Sequence, residues 1–147
     1  MVFLSCVSTA KFIISAHPQQ HVFFSSLAGG LSRAIKYFEI GYWGPEFRES
    51  LEYVLAHDKR PTIKFTNDPV PFLINLSILS PEQRRRIKIE PIQQADYYIY
   101  NYYSAYYNPT NQPVYFSREV YGIPITKVYK IEKPIQPGEG IKPQNWQ

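Results

Sequence analysis

Cysteine is all but missing from this chain: Cys6 is the only one in 147 residues, so no disulfide can form within it. An oxidising compartment is therefore neither required nor excluded. Aspartate is almost as scarce, limited to Asp58, Asp68 and Asp96. Asp58 falls where a helix should end, Asp68 in a capping turn and Asp96 just ahead of a strand, so none is spaced with another as a general acid and base. Three histidines remain. His17 and His21 have the four-residue spacing of metal ligands on one helix, but Pro18 breaks the helix that would align them and no Cys or carboxylate stands close by. His57, at a helix end, reads as a favourable contact with the helix dipole. A Gly-rich phosphate loop, a nucleophile elbow and a Cys–His pair are all lacking. The chain carries no catalytic motif, and no metal site or cofactor is expected in it.

Long hydrophobic runs are missing as well. Met1 to Ala16 is apolar, but Lys11 interrupts it and it falls short of the roughly 20 residues that cross a bilayer. It lacks the basic start of a signal peptide, and Cys6 has no lipoprotein context. Two readings stay open: a buried N-terminal helix or strand, or the outer end of a transmembrane helix whose earlier turns are missing. A strong charge of one sign is the last absence. The net charge is +4 and the basic residues are scattered, apart from Arg84-Arg85-Arg86 and Lys88. That excludes an electrostatic nucleic-acid binder. The basic run reads as a solvated face, or, beside a bilayer, as a contact for phospholipid or polyprenyl-phosphate head groups.

What the chain does have is aromatic bulk. Apolar residues make up 44% of the chain, thirteen Tyr and nine Phe among them, at a mean hydropathy of only −0.32. These are broad packing surfaces that favour one wet edge, and the length supports a single domain with a real core.

The pattern of apolar residues sets out the elements. His17-Pro18 stops the first segment. Leu31, Ala34, Ile35 and Phe38 lie at helical spacing and predict a short helix, which Gly41 to Gly44 then punctuates. Pro45 opens the clearest helix: proline suits the first position, Glu46 and Glu49 complement the helix dipole, and Phe47, Leu51, Val54 and Leu55 form one apolar stripe. Thr62 to Phe65 predicts a strand, Thr66 to Pro69 a turn, Val70 to Leu79 a short apolar helix, and Ser80 to Gln83 a further helical turn or a loop. Asn75-Leu76-Ser77 matches a glycosylation acceptor by chance, inside that apolar helix. Ile87 to Glu90 alternates as a strand. Ala95 to Asn101 is a strong aromatic strand, Asn108 to Pro113 a loop, and Val114 to Ile131 a hairpin around Gly122. The fold expected is α/β or α+β, with a sheet of four or five strands and packed helices over residues 17–132. Residues 133–147 offer little to bury and are expected to be disordered.

Tyr97 to Asn101 reads as a central strand whose alternate residues fill the core. Beyond it, Tyr102, Tyr103, Tyr106 and Tyr107 are candidates for a surface that stacks on sugars or bases, or for a membrane interface.

One order of motifs runs through residues 17–131: His17-Pro18, Val22-Phe23-Phe24, Leu27-Ala28-Gly29-Gly30, Phe38-Glu39, Tyr42-Trp43-Gly44, Glu49-Ser50-Leu51-Glu52, Ala95-Asp96-Tyr97-Tyr98, Asn101-Tyr102, and Tyr121 to Lys130 with its Gly122-Ile123-Pro124-Ile125 turn. It resembles the C-terminal part of bacterial relatives of the dolichyl-phosphate-mannose protein mannosyltransferases, polytopic glycosyltransferases of the GT-C type. Gly29, Gly30, Glu39, Tyr42, Trp43 and Gly44 carry the resemblance as structural positions. The family tends to hold an acidic residue just before its Tyr-Trp-Gly, where this chain has Gly41, with Glu39 nearby.

The resemblance implies a membrane-associated, extracytoplasmic domain that is not catalytic on its own. Its partners would be the membrane half of the enzyme or the bilayer surface, with a glycan or a polyprenyl-phosphate sugar as ligand. The catalytic carboxylates of such enzymes lie in an early external loop that these residues do not contain. The alternative is a free-standing glycan- or protein-binding module using the Tyr102 to Tyr107 surface. A third reading is a small cytosolic enzyme with an unrecognised site that involves Asp96.

Overall fold

The computed structural model describes residues 2–25, 29–38, 40, 44–66, 70–101, 111–132 and 135, leaving aside the side chains of residues 2–5 and of Val70. Among these, five α-helices and a five-stranded mixed sheet form an α/β fold. Helix α1 spans Val2–Ala16, α2 Gly30–Ala34, α3 Pro45–His57, α4 Val70–Ile78 and α5 Pro81–Arg85. The strands are β1 Ile63–Thr66, β2 Ile87–Ile89, β3 Tyr97–Asn101, β4 Val114–Val120 and β5 Ile123–Lys130.

The sheet order is β2-β1-β3-β5-β4. Strands β2 and β3 both run parallel to β1, and β5 is antiparallel to β3 and β4. Parallel pairing needs a crossover, which α4 and α5 supply between β1 and β2. The return from β2 to β3 is far shorter. It suffices because β3 starts level with the end of β2: Phe65 faces both Ile89 and Tyr97. The β4–β5 hairpin turns through Tyr121 and Gly122, both at positive φ, as a tight two-residue turn between twisted strands requires.

Helix α3 follows its sequence closely. Pro45 holds the first turn, and Phe47, Leu51, Val54 and Leu55 are buried along one stripe. They meet Ile63, Phe65, Ile99 and Val128 from the sheet and Phe72 and Leu79 from the α4 region to make the main core. Gly44 precedes the helix at φ 64, and a Cβ there would lie 2.7 Å from Pro71 and 2.8 Å from the Phe47 ring. The close approach of α3 to α4 therefore depends on glycine at this point. A reciprocal capping box between Ser80 and Gln83 starts α5, so the segment over Ser80 to Gln83 is helical rather than a loop.

Two elements depart from expectation. Helix α2 ends at Ala34, and the chain continues to Phe38 in turns whose amides bond carbonyls three or four residues back. Strand β3 is buried at all five positions rather than at alternate ones. It lies in the middle of the sheet with cover on both sides: Tyr97 and Ile99 face the α3 core, while Tyr98 and Tyr100 pack with Tyr129 and Ile135 on the opposite face. Ile135, the one described residue of the C-terminal tail past Glu132, is buried there; the rest of that tail lies outside the described residues.

The N-terminal segment is a helix, with its C-terminal half anchored. Phe12 and Ala16 join Val22, Leu31, Ile40, Val120 and Ile125 in a second cluster at the hairpin end of the sheet. Val7, Ile13 and Ile14 on the same helix stay exposed, Ile14 at 79%.

Candidate functional site

At the end of α3 that carries Asp58, the neighbours Asp58 and Arg60 meet Asp96 from 36 residues beyond Arg60. Arg60 donates Nε to both Asp58 carboxylate oxygens, at 3.1 and 3.0 Å, and Nη2 to Oδ2 at 2.6 Å. Its Nη1 reaches Asp96 Oδ1 at 3.0 Å, so one guanidinium bridges two aspartates. The Tyr97 hydroxyl donates to Asp58 Oδ2 at 3.1 Å, and the Lys64 amide donates to Asp96 Oδ2 at 2.7 Å. Hydrogen bonds from Arg60 hold the Asp58 carboxyl down at about 2. Burial, with the neighbouring Asp58 charge, pushes the Tyr97 hydroxyl well above its ordinary range. A carboxylate held so far down is a weak base, and a phenol pushed up is a poor nucleophile. The group is built to bind and to brace.

An open cleft of about 370 Å³ lies over this group, lined by Asp58, Arg60, Asp96, Tyr97, Tyr115, Lys130 and Ile131. In its lining Asp58 and Asp96 are matched by Arg60 and Lys130, and Lys130 is further paired with Glu132 at 3.0 Å. Donors and acceptors stand side by side beside tyrosine rings, which suits a neutral, hydroxyl-rich ligand better than an anion.

A second polar cluster lies at the other end of α3. Cross-strand partners share a face, so the register places Ile99, Val128 and Phe116 in one apolar row and Asn101, Thr126 and Arg118 in the next. The polar row meets the first turns of α3. Asn101 Nδ2 donates to Glu46 Oε1 at 3.2 Å, Gln19 Nε2 donates to Glu49 Oε2 at 3.1 Å, and Arg118 pairs with Glu49 at 3.5 Å. Glu46 is 1% exposed, and its Oε2 has no hydrogen-bond partner.

Glu46 complements the helix dipole from the first turn of α3, a position that ordinarily favours the ionised carboxyl. Burial instead raises its pKa to about 7, outweighing the bonds that oppose the rise. His21 Nε2 comes within 3.7 Å of Glu46 Oε2, but burial acts on the imidazole in the opposite direction and lowers its pKa. Desolvation disfavours the charged form of both groups, so the contact does not amount to an ordinary ion pair.

The sequence-derived candidates separate in space. Arg84 and Arg85 are exposed on α5. Arg86 turns inward and donates to the carbonyls of Leu55, Asp58 and Arg60, tying the end of α3 to the start of β2. It is a structural brace. Gly29 and Gly30 take positive φ at the start of α2, and Gly44 does so before α3. Glu39, Tyr42 and Trp43 lie outside the described residues, as do Tyr102, Tyr103, Tyr106 and Tyr107. His17 and His21 do not share a helix, because α1 ends at Ala16 and a 3-10 turn over Gln20–Val22 follows. His57 Nδ1 bonds the Tyr53 carbonyl at 2.8 Å in the last turn of α3. Asn75 is buried and donates to the Pro71 carbonyl, which closes it to glycosylation. Among the described residues, no three His, Cys, Asp or Glu side chains come together as a metal site.

Sequence reasoning passed over the Asp58–Arg60–Asp96 group. Each residue had a sufficient local explanation, and only the parallel pairing of β1 with β3 brings Asp96 beside Lys64.

No protein-family model, curated protein or solved structure matches the chain.

Proposed function

We propose that this chain is the extracytoplasmic domain of a membrane glycosyltransferase that takes its sugar from a polyprenyl-phosphate donor, and that it contributes structure rather than catalytic groups. The observation that carries this reading is helix α1. Its fifteen residues contain one charge, Lys11, and only its C-terminal half is anchored, through Phe12 and Ala16. Val7, Ile13 and Ile14 face outward without cover. An apolar helix fixed to a domain at one end and bare along its side is what the outer end of a membrane helix presents. No helix among the described residues is long and apolar enough to cross a membrane by itself. At a rise of 1.5 Å per residue α1 covers only about 22 Å, so spanning would need further turns or a partner helix. Gly44, one of the positions that carry the resemblance, forms with Pro45 the tight entry to α3.

The test is made in membranes of the cell that produces the chain. A photo-crosslinker at Ile14 should capture a polytopic membrane protein, and protease added from outside should digest the domain. Membranes depleted of the chain should lose transfer from a polyprenyl-phosphate sugar. Recovery of the chain in the cytosolic fraction with no such partner overturns the proposal.

A second reading, a free-standing glycan-binding module, draws on the cleft at Asp58, Arg60 and Asp96. It predicts saturable binding of methyl glycosides that Lys130→Met or Tyr115→Ala weakens, with no membrane present. Binding that is absent, or unchanged in both variants, removes it.

A further inference from the structure

We infer that the outer face of α4, with Arg84 and Arg85 beside it, is a docking surface for an anionic lipid bilayer. Helix α4 has nine residues and no charge. One side is buried: Phe72, Asn75 and Leu79 face the core. On the other side Leu73, Ile74 and Ile78 are 52%, 49% and 53% exposed. Residues 73, 74, 77 and 78 fall on adjacent turns of one face, so these aliphatic side chains form a continuous stripe. Exposed apolar residues are ordinarily scattered singly, and a contiguous patch marks an interaction site.

The stripe is less polar than its sequence suggests. Ser77 is its one polar member, and its hydroxyl donates to the Ile74 carbonyl at 2.7 Å. Arg84 Nη1 donates to the Ser77 carbonyl at 3.0 Å, which places a guanidinium at the end of the stripe. Arg85 is exposed in the next position, its Nε donating to the Pro81 carbonyl within α5. Lys88 is exposed on β2, and Glu82 is the one carboxylate of α5. Cations at the margin of a bare aliphatic face match the layering of a bilayer surface. Short aliphatic chains enter the acyl boundary while guanidinium groups meet phosphate. The composition also argues against a protein partner, whose anchoring sites favour Trp and Tyr, both absent from this stripe. Arg86 takes no part, being committed to backbone carbonyls.

The inference needs only a lipid surface and does not depend on sugar transfer, so either can fail without the other. Flotation of the full chain with vesicles of pure phosphatidylcholine, and with a 7:3 mixture of phosphatidylcholine and phosphatidylglycerol, tests it. Binding should be roughly tenfold or more stronger on the mixture and should fall with added salt. The R84E/R85E variant, altered only at exposed positions, should lose the preference for phosphatidylglycerol. The L73S/I74S/I78S variant should bind the mixture several-fold less. A V7S/I13S/I14S variant of α1 should keep the preference. Equal binding to both vesicle types overturns the inference. So does a preference that survives R84E/R85E, or one that disappears with the α1 variant instead.

Discussion

Asn101, the last residue of β3, donates its side-chain amide to Glu46 in the first turn of α3, across 55 residues of sequence and inside the protein. The other carboxylate oxygen of Glu46, Oε2, has no hydrogen-bond partner among the described residues. A carboxylate in that position is easier to bury neutral than charged.

The consequence is a dependence of stability on pH. The Glu46 pKa is raised from 4.5 to about 7 by burial. The contribution of a group with a raised folded-state pKa is full below the unfolded value and is lost as pH rises through the folded one. Unfolding free energy should therefore decline between about pH 4.5 and pH 7, by on the order of 3 kcal/mol if this group alone acts. Glu46→Gln should remove that decline and be the more stable protein at pH 8. Denaturant titrations at pH 5 and pH 8 decide it; an equal slope in both proteins contradicts the assignment.

Asp58 runs in the opposite sense. Its carboxyl is lowered from 3.8 to about 2, chiefly by hydrogen bonds from Arg60. That stability is present above the unfolded value and lost as pH falls toward 2. Arg60 is half exposed, so solvent screening cuts the worth of the pair. Asp58→Asn, which also weakens the acceptor for the Tyr97 hydroxyl, should cost about 1–2 kcal/mol at pH 7. A change within 0.3 kcal/mol, roughly the noise of such a measurement, would place the network outside the stability of the fold.

The arginine run should split when mutated one residue at a time. Arg86→Met leaves the carbonyls of Leu55, Asp58 and Arg60 without their donor and should destabilise by about 2–4 kcal/mol. Arg84→Ala and Arg85→Ala should lie within about 0.5 kcal/mol of the parent. Thermal melts of the three variants side by side check this, and equal effects would contradict the inward placement of Arg86.

Gly44 should tolerate no side chain. Its φ of 64 costs an L-residue roughly 1–2 kcal/mol, and the Cβ would also strike Pro71 at 2.7 Å. Gly44→Ala should cost about 2–4 kcal/mol, whereas Gly122→Ala, at φ 73 with open space around it, should cost only the conformational part. If the two variants melt together, α3 and α4 do not meet as described.

The elements were legible because each rests on local chemistry. Pro45 with the stripe Phe47, Leu51, Val54 and Leu55 specifies α3 whatever surrounds it, and the aromatic run from Tyr97 specifies a strand. The helical spacing of Leu31, Ala34, Ile35 and Phe38 extends past the helix itself, since residues 35–38 form turns after α2 ends at Ala34. The Asp58–Arg60–Asp96 cleft could not be read from the sequence, because its members are joined by the parallel register of β1 with β3, and register is a relation between segments.

The sequence by itself determined α3, the main strands and one sheet, and put most of the tyrosine bulk late in the chain, while α1 and α5 took their form only in the fold. The tertiary structure alone decided which polar residues became partners. Arg86 and Arg84 are chemically the same, yet one turns inward to three backbone carbonyls while the other lies exposed on α5 and reaches the Ser77 carbonyl through Nη1. Glu46 and Glu49 share a helix turn, yet the polar row of the sheet buries one and pairs the other with Arg118. Burial and pairing depend on what the rest of the fold brings within a few ångströms, and no single segment contains that information.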